Sequence, residues 1–156
     1  MKKILSYAAL SVLSMMFLAG SARAAILATA VREAFAVNPN GTPTFIPLDE
    51  AGNTTISFST ASTQKIAVLF NADCAVNTAG DFVFVEIYVD NVLASGTSAS
   101  PSILCSQTTL AAHERNVFAT VSSGNHTVKV SSYTVNSVGG AGGTAKLRRL
   151  VTLVTN

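Results

Sequence analysis

The sequence has no tryptophan, two cysteines, two histidines and three tyrosines among 156 residues, and only 12% of its residues carry charge. Each shortage excludes something. His113 and His126 are too few for the metal centres of three or more histidines that β folds of this size can carry. Cys74 and Cys105 alone cannot close a structural zinc site. No serine stands in a Gly-x-Ser-x-Gly elbow, so no hydrolase triad can be placed. An outer-membrane barrel needs aromatic girdles, and beyond residue 24 only Tyr88 and Tyr133 could join phenylalanine in building them, in a chain that ends Val154-Thr155-Asn156.

The longest apolar run, Ile4 to Leu18, follows Lys2 and Lys3 and precedes Ala22-Arg23-Ala24, small residues at the positions a signal peptidase reads. The run falls short of the roughly 20 residues a membrane-spanning helix needs. Residues 1–24 are therefore expected to be a cleaved signal, leaving 25–156 as one domain. Ser21 stands where a lipoprotein signal would have its lipid-bearing cysteine, so no lipid anchor is expected. Removing Lys2, Lys3 and Arg23 leaves seven cations against eight acids, a net charge of −1. So balanced a chain is no polybasic nucleic-acid binder, and nothing in it calls for a membrane contact. The style of the signal points to a bacterial periplasm or exterior. An oxidising compartment makes Cys74–Cys105 a disulfide, whose closure should contribute about 3–4 kcal/mol.

Beyond residue 24, valine and threonine supply 16 and 17 of the remaining 132 residues. Both are stiff at χ1 and favour pleated backbone. Ile66, Val68, Phe70 and Ala72 alternate with Lys65, Ala67, Leu69 and Asn71, and shorter rows recur at Ile56-Phe58, Val117-Ala119-Val121 and Val128-Val130. Phe82 to Val89 is apolar on both faces until Glu86, which places it at a sheet centre. Turn residues separate these rows, as at Ala51-Gly52-Asn53, Asp90-Asn91 and Ser123-Gly124-Asn125. The pattern predicts an all-β fold, an antiparallel two-sheet sandwich or jelly roll of about seven to nine strands with one disulfide. Strands are also expected over 28–36 and 110–118, and a flexible hairpin loop at Gly139 to Gly143.

Few residues point to chemistry. His126, where a turn hands over to a strand, is expected to pack on or bond that turn. His113-Glu114-Arg115 reads as a solvated strand end. A glycosidase-type pair needs two carboxyl groups about 5–10 Å apart. Glu86 with an acid on a neighbouring strand, such as Glu33 or Glu114, is the pairing to weigh, since Asp81 and Asp90 bound one strand about 30 Å apart at strand rise. Asp73, Asp81 and Asp90 have no calcium-loop spacing, and neither metal nor cofactor is expected. Phe84, Glu86 and Tyr88 share a strand face on which a carboxylate among rings is unusual, so they are the candidate ligand-binding residues.

Asp73-Cys74, the strand Val85-Glu86-Ile87-Tyr88-Val89-Asp90, Cys105 and Gly124-Asn125-His126-Thr127-Val128-Lys129-Val130 together resemble short secreted bacterial β-sandwich proteins of unassigned function, over roughly residues 54–154. A looser likeness to the complement C1q-type jelly roll implies a trimer. The resemblance implies a fold and a compartment and carries no catalytic residue. The function expected is that of an exported noncatalytic binding or structural module, with a protein or glycan ligand. Two rivals remain open: a surface subunit polymerising by strand addition, with Ile26 to Val37 as donor strand, and a small hydrolase. If the two cysteines are paired, a thiol-reactive label leaves the native protein unmodified until reductant is added, and stoichiometric labelling without reductant would refute the pairing.

Overall fold

Fold and side-chain placement come from a computed structural model that describes residues 24–33, 36–38, 41–94 and 102–156. Apart from Ala24, the expected signal lies outside the described residues. Eleven strands follow one another: β1 (Ile26–Arg32), β2 (Ala36–Asn38), β3 (Thr44–Phe45), β4 (Ile56–Thr60), β5 (Gln64–Val76), β6 (Asp81–Val89), β7 (Val92–Leu93), β8 (Ser102–Cys105), β9 (Ala111–Val121), β10 (Gly124–Asn136) and β11 (Ala145–Thr155). Three of them, β2, β3 and β7, have only two or three residues, too short to leave a period in the sequence. The other eight match the number the sequence predicts.

Every pairing is antiparallel. The first sheet runs β1-β11-β5-β9, with β2 continuing β1 along the same side of β11. The second runs β3-β10-β6-β7, with β4 beside β3 on β10 and β8 beside β7 on β6. Each sheet is thus four strands wide, and the chain crosses between them six times, from β2 to β3, β4 to β5, β5 to β6, β8 to β9, β9 to β10 and β10 to β11. This wrapping is the jelly-roll arrangement of an antiparallel sandwich.

The alternating rows define the inner layer. Ile66, Val68, Phe70, Ala72 and Cys74 of β5 are buried, as are Val83, Val85, Ile87 and Val89 of β6, Val128 and Val130 of β10, and Leu147, Leu150 and Val154 of β11. Each large side chain so placed contributes about 1.5–3 kcal/mol relative to exposure. In β11 the inward positions switch from odd to even numbers, from Ala145 and Leu147 to Leu150, Thr152 and Val154. A bulge between Arg148 and Val151 makes the switch, with Arg149 in the left-handed region at φ 51°. Cys74 and Cys105 form the expected disulfide, joining β5 of the first sheet to β8 of the second over a Cα–Cα distance of 6.1 Å.

The Gly139–Gly143 segment differs from expectation. β10 and β11 lie in different sheets, so their connection is a crossing, not a hairpin. It is held along its length: Asn136 N donates to Gly140 O, Gly142 N to Thr134 O at 3.2 Å, and Gly143 N to Asp81 Oδ2 at 2.7 Å. A Cβ at Gly142 would stand 2.9 Å from the Val135 backbone, which is why no larger residue fits there. β1 pairs with β11 of its own chain, so most of the segment weighed as a donor strand completes its own sheet.

Phe70 is fully buried between the layers. Phe70→Ala should lower the unfolding free energy by about 3–5 kcal/mol in urea titration, and a loss under 1 kcal/mol would contradict its central place in the core.

Candidate functional site

β6 lies between β10 and the short β7 and β8, and its residues alternate strictly, Val83, Val85, Ile87 and Val89 inward, Phe82, Phe84, Glu86 and Tyr88 outward and half-buried. The first sheet covers only the inward row. Phe84, Glu86 and Tyr88 therefore share the outer face of the second sheet.

The antiparallel register sets what joins them. Lys129 lies opposite Tyr88, Ser131 opposite Glu86, Tyr133 opposite Phe84, and Phe45 of β3 opposite Ser131 on the far side of β10. The Tyr88 hydroxyl donates to Glu86 Oε2 at 2.7 Å, and the Ser131 hydroxyl donates to the same oxygen at 3.2 Å. The Phe84 and Tyr133 rings stack at 5.4 Å between centroids, while Phe45 meets Tyr88 edge to face at 5.4 Å. Lys129 Nζ lies 5.3 Å from the Phe45 ring centroid and donates to Asn91 Oδ1 at 2.8 Å. Phe45, Leu93 and Ile103, at the margins of this face, remain exposed.

The electrostatics follow from the carboxylate. The bond to Glu86 favours the neutral phenol of Tyr88 and raises its pKa, with burial and the charge of Glu86 adding to the effect. Burial first, and then the charge of Glu86, raises that of Tyr133. Both phenols are therefore donors at neutral pH. The two hydrogen bonds to Glu86 from described residues end on Oε2.

The structure joins all three residues that the sequence predicts for this face, and adds Phe45, Lys129, Ser131 and Tyr133. Phe45 lies in a two-residue strand that carries no period. Tyr133 and Ser131 belong to a row whose register against β6 no spacing within β10 reveals.

The acid pair weighed for hydrolysis does not form. Glu86 faces outward from the second sheet, whereas Glu114 belongs to β9 of the first and Glu33 follows β1. They belong to opposite layers of the sandwich, so they do not form a pair on one face. Asp73, Asp81 and Asp90 are equally scattered. Asp73 lies 3.8 Å from Arg149 across the first sheet, Asp81 accepts from Gly143, and Asp90 from His126. Among the described residues no three His, Cys, Asp or Glu side chains converge as metal ligands. In β9, His113 bonds Gln107.

His126 holds two turns together, as its position in the sequence predicts. Its Nδ1 donates to Asp90 Oδ2 at 2.7 Å and its Nε2 to Ser122 O at 2.9 Å, while the ring packs 5.3 Å from Phe58. Two acceptors facing two ring nitrogens require the imidazolium. Asp90 and Asn91, at φ 52° and 63°, form the two-residue turn between β6 and β7, and Asp90 Oδ1 also accepts from Thr127 N at 2.8 Å. The bond to Asp90 raises the pKa of His126 despite burial. Burial alone would raise that of Asp90, but its bonds from His126 and Thr127 outweigh it and lower the pKa.

No protein-family model matches the chain, and no curated protein matches it. Solved structures do. The D431N mutant VP2 protein of infectious bursal disease virus, in T=1 particles, matches with a TM-score of 0.51 at 14% identity, over 85% of this chain and 31% of that one. The chain thus spans about a third of that protein's length. The sugar-binding EclA C-terminal domain gives 0.46 at 9% identity, over 81% and 79%. A CBM35 module from Paenibacillus barcinonensis gives 0.38 at 16%, over 86% and 96%. At 14% identity the likeness to the VP2 protein is one of fold alone.

The His126–Asp90 pair generates a pH dependence. Histidine's contribution is complete below its unfolded pKa of about 6.5 and fades as pH rises through the raised folded value. Asp90's is complete above the unfolded carboxylate value and is lost as pH falls through its lowered one. The melting temperature should therefore fall as pH rises above about 6.5, and His126→Gln should flatten that limb while costing about 1 kcal/mol in acid solution. An unchanged alkaline limb in the variant would refute the assignment.

Proposed function

We propose that this chain is an exported, noncatalytic module of a bacterial periplasm or exterior that binds a glycan on the outer face of its β10–β6 sheet. The observation that carries the reading is the carboxylate among the rings. Phe84, Tyr88 and Tyr133 share its face, Phe45 packs against Tyr88, and the hydroxyls of Tyr88 and Ser131 both donate to Glu86 Oε2. A sugar ring presents a C–H face and a rim of hydroxyls. Aromatic side chains suit the first, and a carboxylate oxygen, the Lys129 ammonium and the Asn91 amide suit the second.

Among the described residues the groups beside Glu86 are rings and hydroxyls, which suit holding a sugar. Half-buried rings held by stacking and by the Tyr88–Glu86 bond are also fixed before a ligand arrives, which lowers the ordering cost of binding. Export is supported by the signal-like pattern of residues 1–24 and by the Cys74–Cys105 bridge, which suits an oxidising compartment.

Titration calorimetry against a panel of soluble polysaccharides tests the reading. Tyr88→Ala and Glu86→Gln should each weaken binding about 10- to 100-fold, with the fold retained by circular dichroism. Lost thermal stability with unaltered binding in both variants would retire the site.

A further inference from the structure

The two sheets have four lateral edges, and three of them are broken. β1 and β2 share one edge, with a register shift between Ile26 and Ala28. β3 and β4, of two and five residues, share the second. β7 and β8, of two and four residues, share the third. The fourth is β9, eleven residues paired with β5 from Val121 to Ala111 without a register shift. Among the described residues nothing pairs with its other side. A long, flat edge with a row of unpaired N–H and C=O groups is a template for another strand, and natural sheets guard such edges with bulges, proline or charge.

β9 is guarded over half its length. His113, Glu114 and Arg115 stand in its first part, and His113 and Arg115 share the inward face of Ala72 and Phe70, the inward-charge device. From Asn116 to Val121 the sequence reads Asn-Val-Phe-Ala-Thr-Val, with no charge, no proline and no glycine. Phe118 in the middle of this stretch is 52% exposed on the outer face, its ring 5.1 Å from Lys65 Nζ of the neighbouring strand.

We propose that this half of β9 pairs antiparallel with the same strand of a second copy, making one sheet eight strands wide across a two-fold axis. Self-pairing requires opposite residues to be compatible with themselves. An axis at Glu114 or Arg115 would oppose like charges. An axis at Phe118 sets the two phenylalanines together, Asn116 opposite Thr120 and Val117 opposite Ala119, with no like charges facing. Antiparallel pairing of identical edges fixes the axis perpendicular to the sheet. Both second sheets then lie on the same side of the extended first sheet, and both Glu86 faces look the same way. On the glycan-binding reading, the dimer would engage a polymer or surface with two sites at once.

Sedimentation equilibrium of the purified protein, followed to millimolar concentration, should give twice the mass of one chain. Phe118→Glu with Thr120→Glu should return it to one chain mass, because the carboxylates repel across the axis while Lys65 supports both within the chain. Phe118→Cys should crosslink into a covalent dimer under mild oxidation, since directly opposed antiparallel residues bring their Cβ atoms within about 4.5–5.5 Å. A single-chain mass throughout, a threefold mass, an open-ended polymer, or a twofold mass unchanged by the double variant would each overturn the proposal. None of these readings depends on glycan binding, so the two proposals fail separately.

Discussion

Every long strand of this chain has to hide one face and leave the other in contact with water, and the two-residue period of its side chains makes that division absolute. A slip of one residue would turn Val68, Phe70 and Ala72 outward and Leu69 and Asn71 inward. The bulge of β11 shows the constraint at work. Leu147 and Leu150 cannot both face inward in a regular strand, so two residues are accommodated between Arg148 and Val151, and Arg149 takes a left-handed conformation to allow it. The core decides, and the backbone of one residue yields.

The same division produces the aromatic outer face of β6 and β10. Sheet centres need apolar residues inward, but nothing in the packing requires Phe84, Tyr88 or Tyr133 outward, where serine or threonine would be solvated at less cost. Rings stand there, braced against one another, and a carboxylate is held among them by a phenol and a serine hydroxyl. The charge keeps water and hydroxyls welcome on an otherwise oily surface, and the rings keep that surface rigid.

Much of the architecture was legible because it is periodic. The inward rows of β5, β6 and β10, the disulfide and the outward set Phe84, Glu86 and Tyr88 all follow from alternation and compartment. What escaped was whatever depends on pairing between distant segments. Phe45 and Tyr133 reach the site through the register of β10 against β3 and β6, which local spacing does not encode. The Gly139–Gly143 segment read as a hairpin because glycines mark turns, yet the sheet on each side of a turn is set by topology. For the same reason Glu33 and Glu114 seemed available to Glu86 until the two layers separated them.

The place of β11 has a consequence for how the protein comes into being. This strand, the latest in the chain, lies inside the first sheet, flanked by the earliest described strands on one side and by β5 on the other. The first sheet therefore cannot close until β11 has joined it, and pairing between segments so distant in sequence makes that closure slow.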